Sequence, residues 1–185
     1  MQNLLLIAIT LMLSLTSFSQ TEFSEYKGNT LDVVVKEGSS QGKVFLELGD
    51  DIGLTLKSGE RAKFVAFVKE MYKKSCGWDS IAKANNITDM DQKTFGNLKL
   101  SGFFNYGSWK FGTTTLELIF SLEKGKSAAY LYGSKMTASN NQFMESESMI
   151  EILDADFVSY ISEKLSDKSI NDFVASKNKV DSLFD

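Results

Sequence analysis

No histidine occurs among the 185 residues, and the one cysteine is Cys76. Those counts exclude Ser-His-Asp and Cys-His catalysis as normally built. They also exclude His-ligated zinc, copper and non-haem iron, thiolate zinc and cysteine-ligated iron–sulfur clusters. An imidazole switch near neutral pH is absent for the same reason. Cys76 can form no intramolecular disulfide. It follows an apolar helical stripe, which predicts a small buried hydrophobe rather than a reactive thiol.

The remaining nucleophile patterns are weak. Gly38-Ser-Ser-Gln-Gly42 matches Gly-x-Ser-x-Gly. The nucleophile elbow needs a strand-to-helix turn and a histidine, whereas this stretch lies between two predicted strands and reads as a hairpin loop. Ser80-Ile-Ala-Lys83 places a lysine one helical turn from a serine. Ser121 to Lys124 and Ser176 to Lys179 match equally well, as a chain rich in both residues would by chance. Glu145 and Glu147 would share one strand face. Paired carboxylates can hydrolyse glycosides, but only when they face each other across a cleft. Asp89-Met-Asp91 resembles the start of a calcium loop, yet Lys93 occupies the next ligand position. Asp50-Asp51 is turn chemistry. No catalytic residue, metal ligand or cofactor is assigned from these patterns.

A cluster of aromatic residues stands out: Phe103, Phe104, Tyr106, Trp109 and Phe111, with Tyr130 and Tyr132. Tyrosine and tryptophan pair an apolar ring with a polar tip, which suits ligands and interfaces. Most of the cluster is expected in the core. Tyr106, Trp109, Tyr130 and Tyr132 are the candidate ligand-binding residues.

The elements that would carry these residues follow from hydrophobic period. Leu4 to Leu15 is apolar and uncharged, too short for a transmembrane helix of about 20 residues but suited to a signal peptide. Ser17 and Ser19 are the small residues a signal peptidase reads, so residues 1–19 are the expected leader. The ending Ser-Phe-Ser-Gln resembles the leaders of exported bacterial proteins. No second stretch is apolar enough to span a membrane, which predicts a soluble domain in a periplasm or outside the cell. Residues 20–29 read as a flexible lead-in and 30–185 as one domain.

Leu31 to Lys36, Val44 to Leu48 and Ile52 to Leu56 read as strands joined by turns at Glu37–Gly42 and Gly49–Gly53. Ser58 is a candidate N-cap for a helix carrying Phe64, Val68, Met71 and Tyr72. Lys73 and Lys74 close that helix, with Gly77 as its C-cap. Asp79 would cap a second short helix over 78–86, and 85–93 reads as a polar loop. Strands follow over 98–106 and 109–121, with a hairpin at Asn105 to Ser108, and over 128–136. Thr137 to Asn141 reads as a loop. Phe143 to Leu153 reads as the last strand, and with Met149, Ile150, Ile152 and Leu153 apolar on both faces it is expected to be central and covered on both sides. Asp154 caps a helix with the stripe Phe157, Ile161 and Leu165. Ser169 would cap another, carrying Ile170, Phe173, Val174 and Leu183-Phe184.

The predicted fold is α+β: an antiparallel, curved sheet of about six to seven strands, with one central helix region and a C-terminal helix packed against it. By analogy, the order is similar to helix-grip folds, where a C-terminal helix closes a curved sheet; such a likeness carries no function. The net charge of −4 and scattered lysines argue against nucleic acid as a partner. A binding or interaction domain for a small molecule or protein is the first expectation. A His-free hydrolase using carboxylates or a Ser-Lys pair is the alternative.

Overall fold

A computed structural model describes residues 21–35, 42–49 and 51–181. The expected leader, residues 36–41 with all but Gly42 of the Gly-x-Ser-x-Gly match, residue 50, and Leu183-Phe184 lie outside the described residues. Ten strands and three helices are described. In chain order the strands are β1 (Thr21–Tyr26), β2 (Asn29–Val35), β3 (Gly42–Glu47) and β4 (Ile52–Leu56). Helix α1 (Ser58–Ala84) follows. Then come β5 (Met90–Asn105), β6 (Trp109–Glu123), β7 (Lys126–Gly133), β8 (Thr137–Ala138), β9 (Asn141–Glu145) and β10 (Met149–Ile152). Helices α2 (Ala155–Lys164) and α3 (Asp167–Asp181) end the fold.

The fold is α+β, as the order of periods predicts. Eight strands form one antiparallel sheet in the order β1-β2-β3-β4-β5-β6-β7-β10, while β8 and β9 pair separately. Two-residue turns with left-handed backbone, Lys27-Gly28 and Lys124-Gly125, set two of the hairpins. That geometry matches the twist of paired strands.

Register divides the sheet into two faces. Leu31 lies opposite Leu46, which lies opposite Leu54. Leu116 and Leu118 lie opposite Gly133 and Leu131. These residues are on the inner face and are buried. They join one core with Phe64, Val68 and Met71 of α1, Phe157, Ile161 and Leu165 of α2, and Ile170 and Val174 of α3. The three described helices therefore occupy one side.

The sheet is rolled around them. Asn29 on β2 and Glu151 on β10 are six strands apart in sheet order, about 29 Å on a flat sheet. Yet Asn29 Nδ2 donates to Glu151 Oε2 at 3.1 Å. The Leu153 amide donates to the Ala129 carbonyl on the β7 side. The Ile152 amide, one residue before, therefore faces the free edge of β10. Glu151 Oε1 accepts from it at 3.0 Å. One buried carboxylate thus caps one outward amide of the free edge and ties that edge to β2. Burial pushes the Glu151 carboxyl above its ordinary range, against the bonds from Ile152 and Asn29 that favour the charge.

Beside it, Asp154 caps α2 by accepting from the Phe157 amide at 2.7 Å. It also pairs with Lys27 Nζ, at the β1–β2 turn, at 3.0 Å. Burial pushes the Asp154 carboxyl up, but the Phe157 amide and the Lys27 ammonium outweigh it and hold the group below the carboxylate range. Helix α2 fills the gap between the two sheet edges: Tyr26 stacks on Tyr160 with centroids 4.7 Å apart and meets Phe157 at 5.7 Å.

Several local expectations are corrected. The polar stretch 20–29, expected as a flexible lead-in, contains β1 and the turn to β2. It is an edge strand whose Phe23 and Tyr26 pack on the core. The two helices expected over 58–86 are one, and Ser58 is its first residue with Lys57 at the cap. A helical glycine costs about 1 kcal/mol, yet Gly77 does not break α1, because the apolar stripe resumes at Ala82. Cys76 is exposed rather than buried: it sits one position past buried Ser75, off the stripe. The 85–93 loop ends early, since β5 starts at Met90. The expected last strand over 143–153 is two strands, and β10 is an edge, not a central strand. Its Ile150 and Ile152 are 60% and 52% exposed.

Replacing Glu151 with alanine should cost about 1–3 kcal/mol in chemical denaturation, because the Ile152 amide and Asn29 lose their acceptor. Asp154→Asn keeps a capping oxygen and removes the charge. A carboxyl held low in the folded state adds stability above about pH 4 and loses it as the pH falls through its folded value. The pair with Lys27 is partly exposed, so the variant should lose less than about 1 kcal/mol at pH 7. Thermal melts should show that deficit closing as the pH falls below the carboxylate range.

Candidate functional site: the outer face of the sheet

Side chains on the outer face alternate with the core residues. At one end it carries Lys43 and Phe45 on β3, Phe103 on β5, and Trp109 and Phe111 on β6. Phe103 lies opposite Phe111 across the β5–β6 ladder. Gly53 on β4 lies opposite Phe103 and Glu47. A Cβ at Gly53 would run into the Leu46 carbonyl. With no side chain in the way, Phe45 reaches across β4. Its ring lies 5.5 Å from that of Phe103 and 6.5 Å from that of Phe111. Phe103 in turn meets Trp109 edge-on at 5.5 Å.

These rings share a patch but differ in exposure. Phe103 is 5% exposed, while Trp109, Phe111 and Tyr106 are 50%, 48% and 55% exposed. Tyr106 sits at the β5–β6 turn, where its amide donates to the Ser108 carbonyl. Lys43 Nζ lies 4.9 Å from the Phe45 centroid and 5.3 Å from that of Phe111. Burial against the rings, with the nearby Lys57 charge, holds its ammonium below the ordinary lysine value; Glu60 partly offsets this. Lys43 makes no ion pair among the described residues.

The four sequence-predicted site residues do not converge. Trp109 and Tyr106 stand at the hairpin end. Tyr132 and Tyr130 lie opposite Glu117 and Ile119 on the same outer face. Eight residues along β6 separate Trp109 from Glu117, about 27 Å. Tyr130 and Tyr132 belong to a second patch, beside Ile152 and Ile150 of β10. Tyr132 Oη lies 3.1 Å from Ser148 Oγ. Phe104, from the same aromatic run, faces inward and is 2% exposed. The hairpin-end patch instead gains Phe45 and Lys43. The signal for them was parity: Phe45 alternates with the core residues Val44 and Leu46.

The other patterns are accounted for locally. Ser80 Oγ donates to the Cys76 carbonyl, and Lys83 pairs with Asp79 at 2.6 Å, so the two do not meet. Glu145 ends β9, and Glu147 lies beyond it; both are exposed and share no strand. Asp89 accepts from the Lys124 amide and from Thr88 Oγ1, which is turn chemistry. A pocket of about 420 Å³ lies between α1 and α3, lined in part by Ser58, Arg61, Asn171 and Asn178. Its Arg61 is buried and clasped by Asp167 Oδ1 at 2.6 Å, which joins the two helices.

No family model matches the chain, and neither curated proteins nor solved structures offer a match.

Trp109→Ala and Phe111→Ala should each cost about 1 kcal/mol or less, since half of each ring is already in water. Phe103→Ala should cost about 3–5 kcal/mol. Urea titrations of the three variants check this order.

Proposed function

We propose that this protein is an exported binding or interaction domain that works without catalysis, through the outer face of its sheet. One observation carries the reading. Trp109 and Phe111 stand about half exposed in a cluster ordered by buried Phe103, on the side the described helices leave free. Rings fixed by packing present apolar area at little entropic cost, which is the property of binding anchors. Clustered apolar exposure of this kind marks interaction sites. The export assignment rests on the apolar run Leu4 to Leu15 and the small residues Ser17 and Ser19. No described helix is long and apolar enough to cross a membrane.

A thermal-shift screen against sugars, peptides and lipids tests the reading. Hits should vanish in a Trp109→Ala, Phe111→Ala double variant that melts as a folded protein. They should persist in Ile81→Ala, which changes an exposed residue on the helical side. Hits that ignore the double variant, or turnover of any screened compound, would contradict the proposal.

A further inference from the structure

We infer that the hairpin-end patch binds an acidic polysaccharide, a chain of sugars bearing carboxylates; this rests on the outer face being the binding surface. Three features of the patch select that class. The first is charge. The protein carries a net −4, yet the cation among these rings, Lys43, has no ion-pair partner among the described residues. Lys57 and Glu60 both stand near enough to act on it electrostatically, with opposite signs. A carboxylate placed there gains a charge-assisted bond at a cation already partly stripped of water.

The second is the form of the apolar surface. Trp109 and Phe111 are alternate residues of one strand, about 7 Å apart on the same face. Aromatic faces carry negative quadrupole density, and the C–H faces of pyranose rings are its natural complement. A row of exposed rings ending at an ammonium fits successive sugars with an acid group at one end.

The third is backbone access. Around the patch β5 is paired on both sides, with β4 and with β6. On the far side of β6, the Phe111 carbonyl accepts from the Ser139 amide, and Thr115 exchanges bonds with Ser134. An extended peptide joining β6 as an added strand, the mode that gives such peptides their main-chain affinity, would have to compete with Ser139 at the Phe111 carbonyl and with Ser134 at Thr115. Recognition through side chains avoids that competition, which suits a polysaccharide.

Affinity electrophoresis of the full chain tests this, with polygalacturonate, dextran or polyglutamate cast in the gel. Polygalacturonate should retard the wild type, and dextran should not. Lys43→Gln and Trp109→Ala should each weaken retardation about tenfold or more, with native circular dichroism. Lys69→Gln, an exposed lysine on α1, controls for total charge and should bind as wild type. Equal retardation by dextran with Lys43→Gln unaffected would overturn the acidic class while leaving the binding face intact. Polyglutamate binding as strongly as polygalacturonate would overturn the sugar. Self-association abolished by Trp109→Ala, with no polymer bound, would make a second copy the occupant and overturn the ligand. Polymer binding insensitive to both patch variants would overturn this inference and the outer-face reading together.

Discussion

Glu151 occupies the place where a strand-to-strand ladder would otherwise have to close. One oxygen takes the outward amide of its neighbour Ile152, and the other takes the side-chain amide of Asn29 from the far end of the sheet. An open edge in water invites pairing with other chains. Here the carboxylate satisfies the exposed amide without adding a strand. The group is 8% exposed, so its desolvation is a real cost. Lys27 with Asp154, and Tyr26 on Tyr160, support the same seam from the β1 side.

Rolling the sheet gives its two faces different fates. The inner face must bury its leucines and valines, and the three helices supply Phe64, Phe157, Ile161 and Ile170 to do so. The long helix gripped by the sheet is the central one, while the C-terminal pair covers the seam. That reverses the helix-grip arrangement, in which the last helix is the gripped one. The outer face is left to pack against itself. Phe45 and Phe103 meet over Gly53 and order a platform, and Trp109 and Phe111 stand half out of it. The second patch, Ile150 and Ile152 beside Tyr130 and Tyr132, is separate and lies at the sealed edge.

Much of this was legible in the chain, where period and local chemistry agree. Alternation in Val44, Leu46 and Leu54, Leu56 specifies inward strands, and Asp154 with the Phe157, Ile161, Leu165 stripe specifies a capped helix. Reading failed where tertiary context outweighed local signals. Gly77 looked like a helix end, but packing on either side of it carries α1 through. Met149 to Leu153 looked doubly covered because Met149, Ile150, Ile152 and Leu153 put apolar side chains on both faces. Its outward isoleucines are exposed instead, since β10 is an edge. The candidate site was half legible. Proximity in sequence led to Tyr106 and Trp109. Period 2 alone cannot reveal that Tyr132 lies about 27 Å, and Tyr130 about 34 Å, further along the strand direction. Nor can it reveal that Phe45 leans across a glycine toward Phe111 three strands away, because that contact depends on the register of the strands between them.

The roll itself is the claim to measure. Spin labels at Thr30→Cys on β2 and Ile152→Cys on β10, in a Cys76→Ser background, would sit on the outer face on either side of the seam. Pulsed electron–electron resonance should return one narrow distribution well below the span of about 29 Å expected between these strands on a flat sheet. A distribution centred at or beyond that span would contradict the rolled sheet, and with it the division into a filled inner face and a free outer one.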